Sequence, residues 1–153
     1  MDAMQKAGAL LDDIAIHVKV KISALWVSVM LCYIYGDYFE LYTPGKLQEM
    51  LEGRMGPLGP VTQGVLLATA VLMAIPSVMV FLSLVLKPNA NRRINIILGV
   101  IYTLIMLILI GFLVTKPGAW KFYILLGIVE IVLTGLIVWY AWKWPEVDGS
   151  PRT

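Results

Sequence analysis

Ile94-Asn95-Ile96-Ile97-Leu98-Gly99-Val100-Ile101-Tyr102-Thr103-Leu104-Ile105-Met106-Leu107-Ile108-Leu109-Ile110-Gly111-Phe112-Leu113-Val114 contains no charged side chain. As a helix rising ~1.5 Å per residue it would be ~32 Å long, enough to cross a hydrocarbon core of ~30 Å. A helix at the surface of a soluble domain would carry a polar face. Here the polar marks are Asn95, Tyr102 and Thr103 alone, so the run reads as a transmembrane span.

Three more runs of this kind flank it, at about 22–42, 61–86 and 120–142. Together they account for most of the 153 residues, which are 59% hydrophobic and 14% charged. Soluble domains are closer to a quarter charged. The chain is therefore expected to be a single membrane domain, 1–153, built as an all-α four-transmembrane-helix bundle in contact with the lipid bilayer. A net charge of +2, with the basic residues at span ends, argues against a nucleic-acid partner. One cysteine, Cys32, and one histidine, His17, leave no disulfide, no metal site and no haem site to expect, and no cofactor is implied.

The connecting segments carry their own signals. Between Lys87 and Arg93 the chain is short enough to make the second and third spans antiparallel neighbours. Thr43-Pro44 reads as an N-cap and a first helical position, opening a short amphipathic helix over 44–55 in the first outer loop. Gly56-Pro57-Leu58-Gly59-Pro60 ends it. Met4, Ala7, Leu11, Ile14 and Val18 recur at helical spacing and predict an N-terminal amphipathic helix over about 2–19, lying in the membrane interface. In the second span, Gly64, Ala68, Ala70 and Ala74 are spaced for close helix approach. Pro76 is expected to kink that span, with Ser77 bonding a freed carbonyl. Eight basic residues on the side of the termini against four on the other place both termini in the cytoplasm. The localisation that follows is a multi-pass protein of a cell inner membrane.

The first span departs from an ordinary span. Its outer half, Tyr33-Ile34-Tyr35-Gly36-Asp37-Tyr38-Phe39-Glu40-Leu41-Tyr42, holds two carboxylates and four tyrosines. Ionisable side chains within a bilayer are costly, which makes them candidates for function. Asp37 lies ~22 Å from the inner end of the span by helical rise, below the outer boundary, whereas Glu40 lies near that boundary within reach of water. Glu130 lies ~15 Å from the outer end of the fourth span, near the midplane. Tyr123, Gly127, Glu130 and Thr134 share one face there. Lys121, at the outer edge of the fourth span, is the one basic residue within these bounds, and no Lys, Arg or His lies deeper in the spans to pair with Asp37 or Glu130. Such a carboxyl can serve as a neutral hydrogen-bond donor, exchange protons with a wet pocket, or hold a cation. Tyr33, Tyr102 and Tyr123 would supply hydroxyls and aromatic faces, which suit an organic cation.

The chain resembles a family of small bacterial four-span integral membrane proteins of uncharacterised function. The resemblance rests on Val20-Lys21-Ile22-Ser23-Ala24-Leu25-Trp26, Tyr35-Gly36-Asp37, Pro44-Gly45, Val61-Thr62-Gln63-Gly64 and Met73-Ala74-Ile75-Pro76. It continues through Val85-Leu86-Lys87, Ala90-Asn91-Arg92 and Val138-Trp139-Tyr140-Ala141-Trp142-Lys143-Trp144, covering about residues 20–144. It implies the four-span architecture and acidic residues at Asp37 and Glu130. Members of that family tend to carry a glutamate where this chain has Ala74, so a third carboxylate is missing here.

Three readings of function follow, in order of preference. The first is binding or transport of a small, cationic ligand or a proton in an outward-facing polar pocket between the first and fourth spans, with Asp37, Glu130, Tyr33, Tyr102 and Tyr123 as site residues. Four spans are few for a transport path, so transport would imply a homodimer. The second is a non-catalytic accessory or structural subunit bound to a partner membrane protein. The third is a membrane-embedded enzyme acting on a lipid or quinone. No catalytic residues are assigned, because no nucleophile elbow, phosphate loop or metal-binding histidine cluster is present.

Overall fold

The computed structural model describes residues 15–115, 118 and 120–144. Its helices are α1 (Val18–Glu40), α2 (Lys46–Leu51), α3 (Gln63–Val85), α4 (Pro88–Val114) and α5 (Lys121–Trp142), with a 3-10 turn at Gly56–Leu58. Helices α1, α3, α4 and α5 are each long and apolar enough to cross a membrane. Among the described residues there is no strand, only a single bridge between Arg54 and Pro60.

The four long helices alternate in direction. The end that carries the α3–α4 turn, the start of α1 and the end of α5 is called the inner end; α2 lies at the outer end. Helix α1 packs against α3 and α5, and α5 against α4. Trp26 of α1 is fully buried and donates through Nε1 to Asn95 Oδ1 of α4 at 2.7 Å, across the bundle centre. The expectation that the second and third spans are close neighbours is met only weakly. Although two residues join them, α3 and α4 touch little.

The boundaries differ from expectation where polar residues were read as connector. Helix α4 starts at Pro88, six residues before the expected Ile94, with Lys87 as N-cap. Proline is tolerated at a first helical position because its missing N–H has no intrahelical acceptor there. Asn91 and Asn95, four residues apart, then point inward and are fully buried. Helix α2 is shorter than expected and begins after Gly45, which takes φ 85. Thr43 is not its cap; the Thr43 hydroxyl donates to Glu40 O at 2.7 Å. Leu47, Met50 and Leu51 of α2 are exposed. Residues 1–14, most of the expected N-terminal amphipathic helix, lie outside the described residues. Residues 15–17 are not helical, and His17 caps α1, accepting from Lys19 N at 3.2 Å.

The inner half is closed by satisfied polar groups. Asn95 Nδ2 donates to Asn91 Oδ1 at 2.6 Å, and Asn91 Nδ2 to Ser83 O, also at 2.6 Å. Ser23 Oγ donates to Val80 O at 2.8 Å. Ser83 O and Leu84 O are carbonyls at the end of α3, where a helix has no partners of its own. Asn91 takes the first and Lys19 Nζ the second, at 3.2 Å. Lys19 Nζ also donates to Leu86 O at 2.8 Å, and Arg92 Nη2 to Trp142 O at 3.2 Å. Around this network lie Ile22, Trp26, Val29, Met79, Tyr102, Ile137 and Ala141, which form the buried core.

Pro76 sits inside α3 and has no N–H to offer the carbonyl four residues earlier. That carbonyl belongs to Leu72, and the Tyr102 hydroxyl of α4 donates to it at 2.6 Å. Ser77 was expected to serve the freed carbonyl; its hydroxyl instead donates to Met73 O at 2.9 Å. The expected small-residue approach on the second span is also displaced. Gly64, Ala68, Ala70 and Ala74 are all exposed. Close approach occurs between α4 and α5 instead. A Cβ at Gly99 would stand 2.7 Å from Val138 Cγ2 and 3.3 Å from Thr134 O, and one at Gly127 would stand 2.6 Å from Ile110 Cδ1.

Candidate functional site

Toward the outer end the packing changes character. Between α1 and α5, with Met106 of α4 also contributing, lies a recess lined by Cys32, Tyr33, Gly36, Asp37, Met106, Tyr123, Leu126, Gly127 and Glu130. Helical spacing explains the set. Cys32, Tyr33, Gly36 and Asp37 occupy neighbouring positions on successive turns of α1, and Tyr123, Leu126, Gly127 and Glu130 do the same on α5. The recess encloses about 270 Å³ of space, open mouth included.

Four of the five residues singled out in the sequence, Asp37, Glu130, Tyr33 and Tyr123, line this one recess. Tyr102 does not. It is buried one layer inward, edge-on to Trp26 with ring centroids 5.9 Å apart, and its hydroxyl is committed to Leu72 O. The demand of the orphaned Leu72 carbonyl accounts for its position.

The two acids differ in setting. Asp37 is exposed on the first helix. Glu130 is 4% exposed, and its Oε2 has no hydrogen-bond partner among the described residues. It is the buried unpaired side-chain atom found among the described residues. Most buried polar groups in folded proteins are paired, so each exception calls for an explanation. No Lys, Arg or His lines the recess. Glu40, at the end of α1, is instead paired with Lys46, Nζ to Oε1 at 2.6 Å.

Below Glu130 the polar groups are paired again. Thr103 Oγ1 donates to Thr134 Oγ1 at 2.7 Å, and the Thr134 hydroxyl to the Glu130 backbone carbonyl at 2.9 Å. Those bonds fix the α5 backbone at Glu130 and leave its carboxylate unserved. No group of three or more His, Cys, Asp or Glu side chains among the described residues is placed to hold a metal ion. Chemically, the recess offers two carboxyl groups, two phenol rings and a thiol in a narrow, mostly apolar slot.

Sequence reasoning missed Gly36, Met106, Leu126 and Cys32 as walls. Spacing of three from Tyr33 could have marked Gly36, and spacing of four from Glu130 could have marked Leu126; Met106 lies on a third helix, α4, and carried no such signal.

A family model described as a family of unknown function (DUF6326) matches residues 14–149. No curated protein and no solved structure matches the chain.

Proposed function

The chain belongs to this family of unknown function, and we propose that it is a multi-pass membrane protein holding a small positively charged ligand, down to a proton, in the recess between α1 and α5. Glu130 is the anchor at the base of the recess and Asp37 the acid at its mouth, with Tyr33 and Tyr123 as walls. The observation that carries this reading is the unpartnered Oε2 of a glutamate that is 4% exposed. Taking a carboxylate out of water without a partner is expensive, and a bound cation or proton removes that cost. Phenol rings beside a carboxylate add cation–π attraction. Orientation follows the bias of basic residues: Lys19, Lys21, Lys87, Arg92, Arg93 and Lys143 at the inner end against Lys46, Arg54 and Lys121 at the outer. On that bias the inner end is cytoplasmic and the recess opens outward.

The single cysteine gives a direct test, because Cys32 lines the same recess. In detergent-purified protein, the ethylammonium methanethiosulfonate reagent should modify Cys32 faster than the ethylsulfonate reagent, by roughly tenfold or more, as expected for a slot lined by one sign of charge. Glu130→Gln together with Asp37→Asn should erase the preference. Equal rates for the two reagents on the unsubstituted protein would sink the cation reading. They would favour the alternative in which the carboxyls only bond another helix.

A further inference from the structure

Three glycines in the long helices are buried: Gly99, Gly127 and Gly36. Glycine within a helix is destabilising relative to alanine, so each needs a reason to be there. For Gly99 and Gly127 the reason is contact, since an added Cβ would collide with the facing helix. Gly36 differs. A Cβ there would meet only Leu126 Cδ1, at 3.8 Å, which is ordinary contact. The backbone does not require glycine either, because Gly36 is helical and absent from the positive-φ glycines. Gly111 and Gly135 also have free space, but they lie on the exposed outside of the bundle. At Gly36 the free space is inside, on the wall of the recess between Tyr33 and Asp37.

We propose that Gly36 sets the size limit of the recess, so that its ligand is a small cation of the size of an unsubstituted ammonium and not a bulky quaternary ammonium. This rests on the cation reading above and adds to it a residue that makes no polar contact. The recess is small enough for one side chain to matter, and even one methylene in a fitted pocket changes selectivity roughly 10- to 200-fold. A side chain at Gly36 would leave both carboxylates in place while filling the slot.

Modification of Cys32 by the ethylammonium, ethyltrimethylammonium and ethylsulfonate methanethiosulfonate reagents separates size from charge. The variants are Gly36→Ala, Gly36→Val and, as a control on the outside of the bundle, Gly111→Ala. The expected result is that Gly36→Val slows the trimethylammonium reagent by at least about tenfold more than the ammonium reagent. Gly36→Ala should give a smaller change of the same sign, and Gly111→Ala none. The preference for ammonium over sulfonate should persist in all three. If that preference is absent from the unsubstituted protein, the cation reading itself fails. If it is present but the two cationic reagents slow equally in the Gly36 variants, or not at all, only the size limit is overturned. Gly36→Ala is compatible with the observed spacing, so loss of the fold in that variant would also overturn it.

Discussion

The inner and outer halves of the bundle are built from similar residues and solve the same problem differently. In the inner half, polar side chains are buried and paired with one another: Trp26 with Asn95, Asn95 with Asn91, Asn91 with Ser83 O. In the outer half, the buried acid Glu130 is left with an oxygen that no described residue serves. Buried polar groups that are fully paired make a structure specific and rigid. A buried group left unpaired at the base of a recess has no such structural use. On the proposed reading, the inner half serves stability and the outer half holds the ligand.

Four substitutions would break or sharpen that contrast. Asn95→Ala should have the largest effect. It strips Trp26 Nε1, Ser83 Oγ and the Asn91 side chain of partners at a fully buried position, and should cost about 3 kcal/mol in unfolding by SDS in mixed micelles. Gly99→Ala comes next, at about 1–3 kcal/mol, because the new methyl must displace Val138 against a backbone carbonyl. In the same assay, Tyr102→Phe frees the Leu72 carbonyl beside Pro76 and should cost about 1 kcal/mol, the scale of an interhelical hydrogen bond in membranes. Glu130→Gln should be the mildest, within about 0.5 kcal/mol, because no hydrogen bond to Oε2 is lost. A stability loss for Glu130→Gln as large as that for Asn95→Ala would erase the distinction between the halves.

How much of this the residues disclose depends on whether the information is local. Span number and approximate bounds follow from run length alone, and the four helices lie near the expected ranges. The start of α4 escaped because Pro88, Asn91 and Arg92 look like a loop until Pro88 is placed at a first helical position and Asn91 joins Asn95 four residues on. Tyr102 was assigned to the candidate site as a source of a hydroxyl and an aromatic face. Its true partner depends on Pro76 in a different helix, a relation that no spacing rule within one segment reveals. The same limit applies to helix order: a two-residue turn does not determine how far two helices pack beyond it. Asp37, Glu130, Tyr33 and Tyr123 could be grouped from sequence because each pair shares a helical face. Gly36 could not be distinguished from Gly99 or Gly127, since only the facing helix separates a collision from free space.

The lysine and arginine contacts at the inner end have a consequence for biosynthesis. Lys19 and Arg92 belong to the basic excess that biases which way a chain enters the bilayer. In the folded bundle the same two side chains close the exposed carbonyls of Leu84, Leu86 and Trp142. On the proposed orientation, residues that bias insertion are thus also residues that satisfy helix ends on assembly. Neutralising either residue to probe topology would also uncap a helix.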